Sequence, residues 1–273
     1  MNRAYSLPEG WYPRNPVEVS RFLSGFAPGK ASAAIAPHAG WFYSGRIAAR
    51  AVSALDRRAE TIVVLGGHLP AGSSPLFALE DGVQTPLGIM PIDAELRESL
   101  LGELNGKEDC YRDNTVEALV PMARYFFPGA SLVWIRLPAG NSSFEAGLVI
   151  ARAAEHLKRK IVVLASTDLT HYGTNYGFAP KGSGPEALQW VKKVNDHNFI
   201  RAVEAGNPAA VLERATQDFS SCSAGAVLGA MAFAQAVDAG PARLLEYATS
   251  ADALSGEEIP GSFVGYAAFA FGK

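Results

Sequence analysis

Ala-Ala-Ile-Ala-Pro-His-Ala-Gly-Trp-Phe-Tyr-Ser-Gly, residues 33–45, is the stretch that decides the fold. A short apolar run fit for a buried strand stops at Pro37, and His38 follows at once. Two further runs behave in the same way. Thr61–Gly67 (Thr-Ile-Val-Val-Leu-Gly-Gly) delivers His68, and Ile161–Ser166 (Ile-Val-Val-Leu-Ala-Ser) leads through Asp168 to His171. The chain has 5 histidines, and 3 of them stand just past strand-like runs. In an open α/β sheet, ligands bind in the crevice beyond the carboxyl ends of the strands. Three imidazoles gathered there predict a site.

Between the first two runs, Ser44 predicts the cap of a helix through Arg57, because Ile47, Ala48, Ala51, Val52 and Leu55 fall on one face. Strand, helix and strand within about thirty residues form a βαβ unit, so the two strands are expected to be parallel. Leu132–Leu137 predicts a third parallel strand and Ile161–Ala165 the next, joined by a helix that Ser142 or Ser143 caps and that ends near Lys158. Asp93 reads as the cap of a helix through Leu96, Leu100 and Leu104. Thr115–Phe127 is helix-like with a kink or a start at Pro121. Residues 1–16 predict an irregular segment pinned by Trp11 and Tyr12, followed by a short helix over Val17–Phe26. Thr174–Gly184 predicts a loop beside the site, Glu186–Ala205 one long amphipathic helix, and Asn207-Pro208 the start of another. An Ala-rich and Gly-rich helix over Ser223–Asp238 and strands at Leu244–Ala248 and Ser262–Phe271 complete the order. The expectation is one α/β domain over residues 1–273, a mostly parallel or mixed central sheet flanked by helices.

Composition is ordinary for a globular chain of 273 residues, 48% hydrophobic and 19% charged. A net charge of −3 gives no reason to expect nucleic acid or an anionic membrane as partner. The 2 cysteines, Cys110 and Cys222, lie far apart without a CxxC pattern, which fits a reducing compartment. The N-terminus lacks the apolar core of a signal peptide, and no run approaches a membrane span of about 20 apolar residues. The sequence reads as that of a soluble cytoplasmic protein.

Neutral imidazole is the commonest transition-metal ligand, and His38, His68 and His171 are the candidate ligands. Asp168 could be a ligand, a proton acceptor, or a partner that orients an imidazole. Cys222, in Ser-Ser-Cys-Ser-Ala-Gly ahead of the Ala-rich helix, could be a ligand or a nucleophile, because a helix N-terminus favours the thiolate. Each of these alone has a plain structural reading; their shared placement is what points to a site. Tyr43, Tyr172 and Trp41 are candidate pocket walls, with Asp196 a further pocket candidate on the long helix. His156 and His197 fall among charged residues of predicted helices, as solvated faces do, and Cys110 has no setting that suggests chemistry.

The order of Gly10-Trp11-Tyr12, Ala36-Pro37-His38-Ala39-Gly40, Tyr43-Ser44-Gly45, Gly66-Gly67-His68 and Thr85-Pro86-Leu87-Gly88 carries a resemblance. So do Ser166-Thr167-Asp168-Leu169-Thr170-His171-Tyr172-Gly173, the single Cys222, Tyr247 and Ser250. Over nearly its whole length the chain resembles the Memo family, the B component of the AmmeMemoRadiSam system. That likeness implies a fold similar to class III extradiol dioxygenases, LigB-like, with a non-haem metal at the strand ends. It also implies a pocket of three histidines and a cysteine, at His38, His68, His171 and Cys222, holding iron ahead of copper or zinc. The chain departs from the family where Glu-His-Ser is common and Asp113-Asn114-Thr115 stands here, and where Ser223-Ala224 follows Cys222.

Three functions are compatible with these residues. The first is a dioxygenase-like oxidoreductase acting on a small molecule, with His171, Asp168 and Cys222 as the catalytic candidates. The second is a metal-binding or redox-regulatory protein without turnover. The third is a zinc hydrolase, in which three protein ligands leave room for an activated water.

Overall fold

Ala33, Ile35, Val63, Leu65, Val163 and Ala165 are buried in one apolar cluster. Their alternate neighbours Ala34, Ala36, Ile62, Val64, Val162 and Leu164 are buried in another. The two clusters lie on opposite faces of a central sheet, as near-continuous apolar strands specify. This architecture is that of a computed structural model describing residues 1–254 and 259–272.

The strands of the first half are β1 (Asn2–Arg3), β2 (Ala33–Ala36), β3 (Thr61–Leu69), β4 (Leu76–Phe77), β5 (Gly82–Thr85) and β6 (Gly88–Pro91). Then come β7 (Lys107–Glu108), β8 (Ser131–Pro138), β9 (Ile161–Ser166), β10 (His171–Gly173), β11 (Ala242–Thr249) and β12 (Ser262–Phe271). The helices begin with α1 (Pro16–Leu23), α2 (Trp41–Ala54), α3 (Ala94–Glu103), α4 (Asn114–Glu117) and α5 (Val120–Phe126). They continue with α6 (Asn141–His156), α7 (Pro185–Trp190), α8 (Asp196–Glu204), α9 (Pro208–Gln217) and α10 (Ala224–Ala236).

The large sheet runs β10-β12-β2-β9-β3-β8-β4-β7, with β11 on β12. Its centre, β2-β9-β3-β8, is parallel, and β12 joins β2 antiparallel. The predicted βαβ strands β2 and β3 are indeed parallel, with β9 inserted between them. The α/β class read from the sequence is the observed one. Helices α2 and α5 pack on one face, α6 and α10 on the other. The second face is packed backbone against backbone. A Cβ on Gly147 of α6 would stand 2.1 Å from the Gly229 carbonyl oxygen of α10, and one on Gly225 would stand 2.1 Å from the Pro138 carbonyl oxygen of β8. Overpacking there would cost about 1–3 kcal/mol or more, which explains the small residues of α10. No helix among the described residues is long and apolar enough to cross a membrane.

Several local expectations are corrected. Helix α2 begins at Trp41 with Gly40 as its cap, and Ser44 instead donates its hydroxyl to the Ala39 carbonyl. Likewise α6 has Gly140 as cap, while the Ser143 hydroxyl donates to Pro138 O. The caps at Asp93 and Asn207 form as predicted, accepting from the backbone N–H of Leu96 and Ala210. The single helix expected over Glu186–Ala205 is divided by a wide π turn, Val191–Asn195, between α7 and α8. Strand β3 runs on to Leu69, so His68 is a strand residue and not one just beyond the strand.

Candidate metal centre and its cavity

The parallel neighbours β2, β9 and β3 end on the same edge of the sheet, and their terminal residues carry the chemistry. His38 stands two residues beyond β2 and is buried. Its backbone N–H donates to Asp168 Oδ1 at 2.8 Å, and its Nδ1 meets the Ser166 hydroxyl at 2.7 Å. These contacts turn Nε2 toward Cys222, whose Sγ lies 3.3 Å away. Cys222 is half-buried just ahead of α10. It is laced to the turn after β9: Asp168 N–H donates to its Sγ at 3.3 Å, and its own N–H donates to Asp168 O at 3.2 Å.

His68 reaches the same place from β3. Its ring meets that of His38 edge-on at 5.1 Å between centroids. The two glycines before it are required by close approach. A Cβ on Gly66 would lie 2.3 Å from Thr115 Oγ1, and one on Gly67 2.4 Å from the Ser223 side chain. His68 itself has φ 57°, a left-handed conformation uncommon for a residue with a Cβ. Its Nδ1 lies 3.0 Å from Asp113 Oδ2.

One donor atom each from His38, His68 and Cys222 lies within 4.8 Å of the others. Ligands at zinc-like bond lengths on a tetrahedral metal stand roughly 3.5 Å apart. The 3.3 Å between His38 Nε2 and Cys222 Sγ is close to that edge length. Two imidazoles and a thiolate are also a proper transition-metal donor set, so the residues fit such an ion. Burial would raise the Cys222 thiol, but His38 and His68 outweigh it and hold the group well below its ordinary value, in the thiolate form that a metal ligand requires. For His68, burial is opposed by Asp113 and by the thiolate, which lift it to about 10. His38 is raised in the same way, against burial, by Asp168 and Cys222.

His171, expected as a fourth ligand, lies outside this group of donors. Its Nδ1 donates to the Leu169 carbonyl at 3.1 Å, its ring packs on Tyr176, and it lines an adjoining cavity of about 710 Å³. Asp168 links the two spaces. It lines the cavity, and its Oδ2 stands 3.8 Å from His38 Nε2. Burial raises the Asp168 carboxyl, against the pull of His38.

Tyr43 lines the cavity as expected. Tyr172 does not, because it is buried and stacked on Phe263 at 5.1 Å, with its hydroxyl donating to Gly182 O. Asp196 also stays out of the cavity. Fully buried, it accepts from Thr170 N–H at 3.0 Å, from the Thr170 hydroxyl and from Tyr247 OH at 2.8 Å, so it braces the residue before His171. Cys110 is exposed and apart from the site.

Residues not singled out from the sequence as site candidates complete the walls: Glu9, Trp11, Asn114, Tyr176 and Tyr266. Asn114 also donates to the His38 carbonyl at 3.2 Å. Only Asp113-Asn114-Thr115, an Asx-type helix start, had a local signal that could have marked this stretch.

The family model described as Memo-like protein matches residues 3–270. A MEMO1 family protein of Pyrococcus abyssi is 29% identical over 252 residues, 87% of this chain and 86% of its own. Another from Thermococcus kodakarensis is 30% identical over 255 residues, covering 88% and 86%. The crystal structure of an uncharacterized protein from Escherichia coli K12 aligns with a TM-score of 0.44 at 15% identity, over 88% of this chain and 99% of that one.

Proposed function

The chain belongs to the Memo-like protein family, and from that premise we propose that it is a metal-dependent oxidoreductase of dioxygenase-like type acting on a small molecule. The observation that carries the reading is the convergence of His38, His68 and Cys222 within 4.8 Å beside an open cavity of about 710 Å³. The thiolate makes the set softer than the two histidines and one carboxylate of many iron oxygenases, which moves copper ahead of iron as the ion it suits. Such an ion would supply a redox-active, Lewis-acidic centre.

The protein's own residues have distinct tasks. Trp11, Tyr43, Tyr176 and Tyr266 form aromatic walls that suit a planar substrate. His171 spends Nδ1–H on a backbone carbonyl, which leaves Nε2 as an acceptor for a substrate hydroxyl. Asp168, raised by burial and at the boundary between cavity and donors, is the group placed to take and return a proton.

The partly exposed ring of His68 and the adjoining cavity that Asp168 borders favour turnover over a closed storage site. The test is metal content of protein purified without oxygen, wild type beside His38→Ala and Cys222→Ala, followed by oxygen uptake with catechol-like substrates. Stoichiometric copper or iron, lost in both variants, with oxygen consumption by the wild type, supports the reading. Zinc alone, with hydrolysis and no oxygen uptake, replaces it with the hydrolase. Protein that takes up none of these metals overturns it.

A further inference from the structure

The two histidines of the donor group are backed differently. His38 rests its Nδ1 on a neutral hydroxyl, that of Ser166, whereas His68 rests its Nδ1 on the carboxylate of Asp113 at 3.0 Å. Behind Asp113 stands Arg136. Its position on β8 is the register partner of Gly66 on β3, which sets its side chain beside the strand end that carries His68. Arg136 is 4% exposed, and a buried guanidinium needs anionic partners. It has two. Nη1 lies 2.9 Å from Asp113 Oδ2 and Nε 3.3 Å from Asp109 Oδ2. Asp109, fully buried, is fixed in turn by the Trp134 indole N–H at 3.0 Å.

The other oxygen of Asp113 is also engaged. Oδ1 accepts from Thr115 N–H at 2.8 Å and from the Thr115 hydroxyl, and that hydroxyl accepts from Gly67 N–H at 3.2 Å. The carboxylate is therefore held from both sides, and Oδ2 alone faces His68 and Arg136. Asp109 shares the charge of Arg136, so Asp113 keeps net negative charge toward the imidazole. With Nδ1–H committed to Asp113, Nε2 is the nitrogen that His68 would turn to a metal, giving up its proton as the ion binds. A carboxylate on the far nitrogen both fixes this tautomer and strengthens the ligand.

We propose that Asp113, anchored by Arg136, is the positioning residue that sets the metal affinity of the centre through His68. The proposal rests on the metal reading above. Asp113 also has a plainer role, as the cap of α4. Asn caps a helix as well as Asp does, so Asp113→Asn removes the charge and leaves the cap.

The experiment is anaerobic titration with copper(I) against a competing chelator, and with cobalt(II) followed by its optical spectrum. Wild type, Asp113→Asn, Asp113→Glu and Arg136→Lys are compared, with thermal unfolding as control. The expected result is a loss of about 10- to 100-fold in affinity for Asp113→Asn. The cobalt–thiolate band should persist, because Cys222 still binds, while the ligand-field bands shift. Asp113→Glu should recover part of the loss. If Asp113→Asn fails to fold, Arg136→Lys carries the test, since a compact ammonium cannot stand beside both carboxylates at once as the broader guanidinium does. Affinity within about twofold of wild type in the folded variants overturns the proposal while the metal reading stands. Wild type that binds neither ion overturns both.

Discussion

Cys222 Sγ and His38 Nε2 face each other at 3.3 Å across the end of the sheet, one on the turn before α10 and the other just past β2. Nothing in the local sequence of either residue requires the other; the crossover order of β2, β9 and β3 brings them together. The softness of the pair gives a prediction of metal choice. Cys222→Asp would convert the donors to two imidazoles and a carboxylate, a set that suits iron(II). Affinity for copper(I) should fall sharply while iron(II) is retained, as measured by competition against chelators of each ion. A variant that still prefers copper(I) would mean that the thiolate is not a ligand.

His171 should behave differently from the three donors. Its Nδ1 is committed to the Leu169 carbonyl and its ring lies in the cavity against Tyr176. His171→Ala should keep its metal and lose turnover by about 10²-fold or more, the scale of a positioned acid–base or orienting group. Metal analysis beside oxygen uptake decides it: loss of metal would restore His171 to the ligand set.

The strands and the edge they share were legible because apolar runs that end at Pro37, at Gly66-Gly67 and at Ser166 carry their own punctuation. His38, His68 and Cys222 followed from that edge and from the family resemblance. Asp113 did not. It stands 45 residues from His68, and its carboxylate occupies a stretch where the resemblance implies a histidine. The π turn at Val191–Asn195 was equally hidden, since its residues keep helical periodicity. Its cause is tertiary. Asn195 donates to Thr170 Oγ1 at 2.9 Å and the adjacent Asp196 accepts from the same residue, although successive side chains of a regular helix diverge by roughly 100°. A widened turn lets both face one threonine.

Asp196 also makes stability depend on pH. Burial lifts its carboxyl to about 6, against hydrogen bonds from Thr170 and Tyr247, while the unfolded chain has an ordinary value near 3.9. A raised folded value means that the protonated form is favoured in the folded state. The contribution is fully present below about pH 4 and is lost as pH rises through about 6. Relative to Asp196→Asn, whose side chain stays neutral, the wild type should lose up to roughly 3 kcal/mol between about pH 4 and pH 8. Urea unfolding of both proteins across that range measures it. A constant difference would show that Asp196 titrates normally.

Glu117 ties the N-terminal segment to the cavity. Buried at the end of α4, it accepts from Ser6 N–H at 2.9 Å, the Ser6 hydroxyl, Leu7 N–H at 3.0 Å and Tyr12 OH at 3.0 Å. One carboxylate thus closes residues 6–12 onto the body, and Glu9, Gly10 and Trp11 within that span are cavity wall. The Trp11 carbonyl accepts from Trp41 N–H at 2.7 Å, so the clasp also steadies the start of α2. Removing the acceptor leaves several donors unpaired, and Glu117→Ala should destabilise the protein by about 2–4 kcal/mol. Unfolding in urea measures this loss, and limited proteolysis should cut first within residues 1–16. Glu117→Gln, which keeps the shape but turns an amide N–H₂ toward some of those donors, should lie between Ala and wild type. An N-terminal segment as resistant to protease in Glu117→Ala as in the wild type would place its anchorage elsewhere, on Tyr12 packed against Trp41 at 5.9 Å.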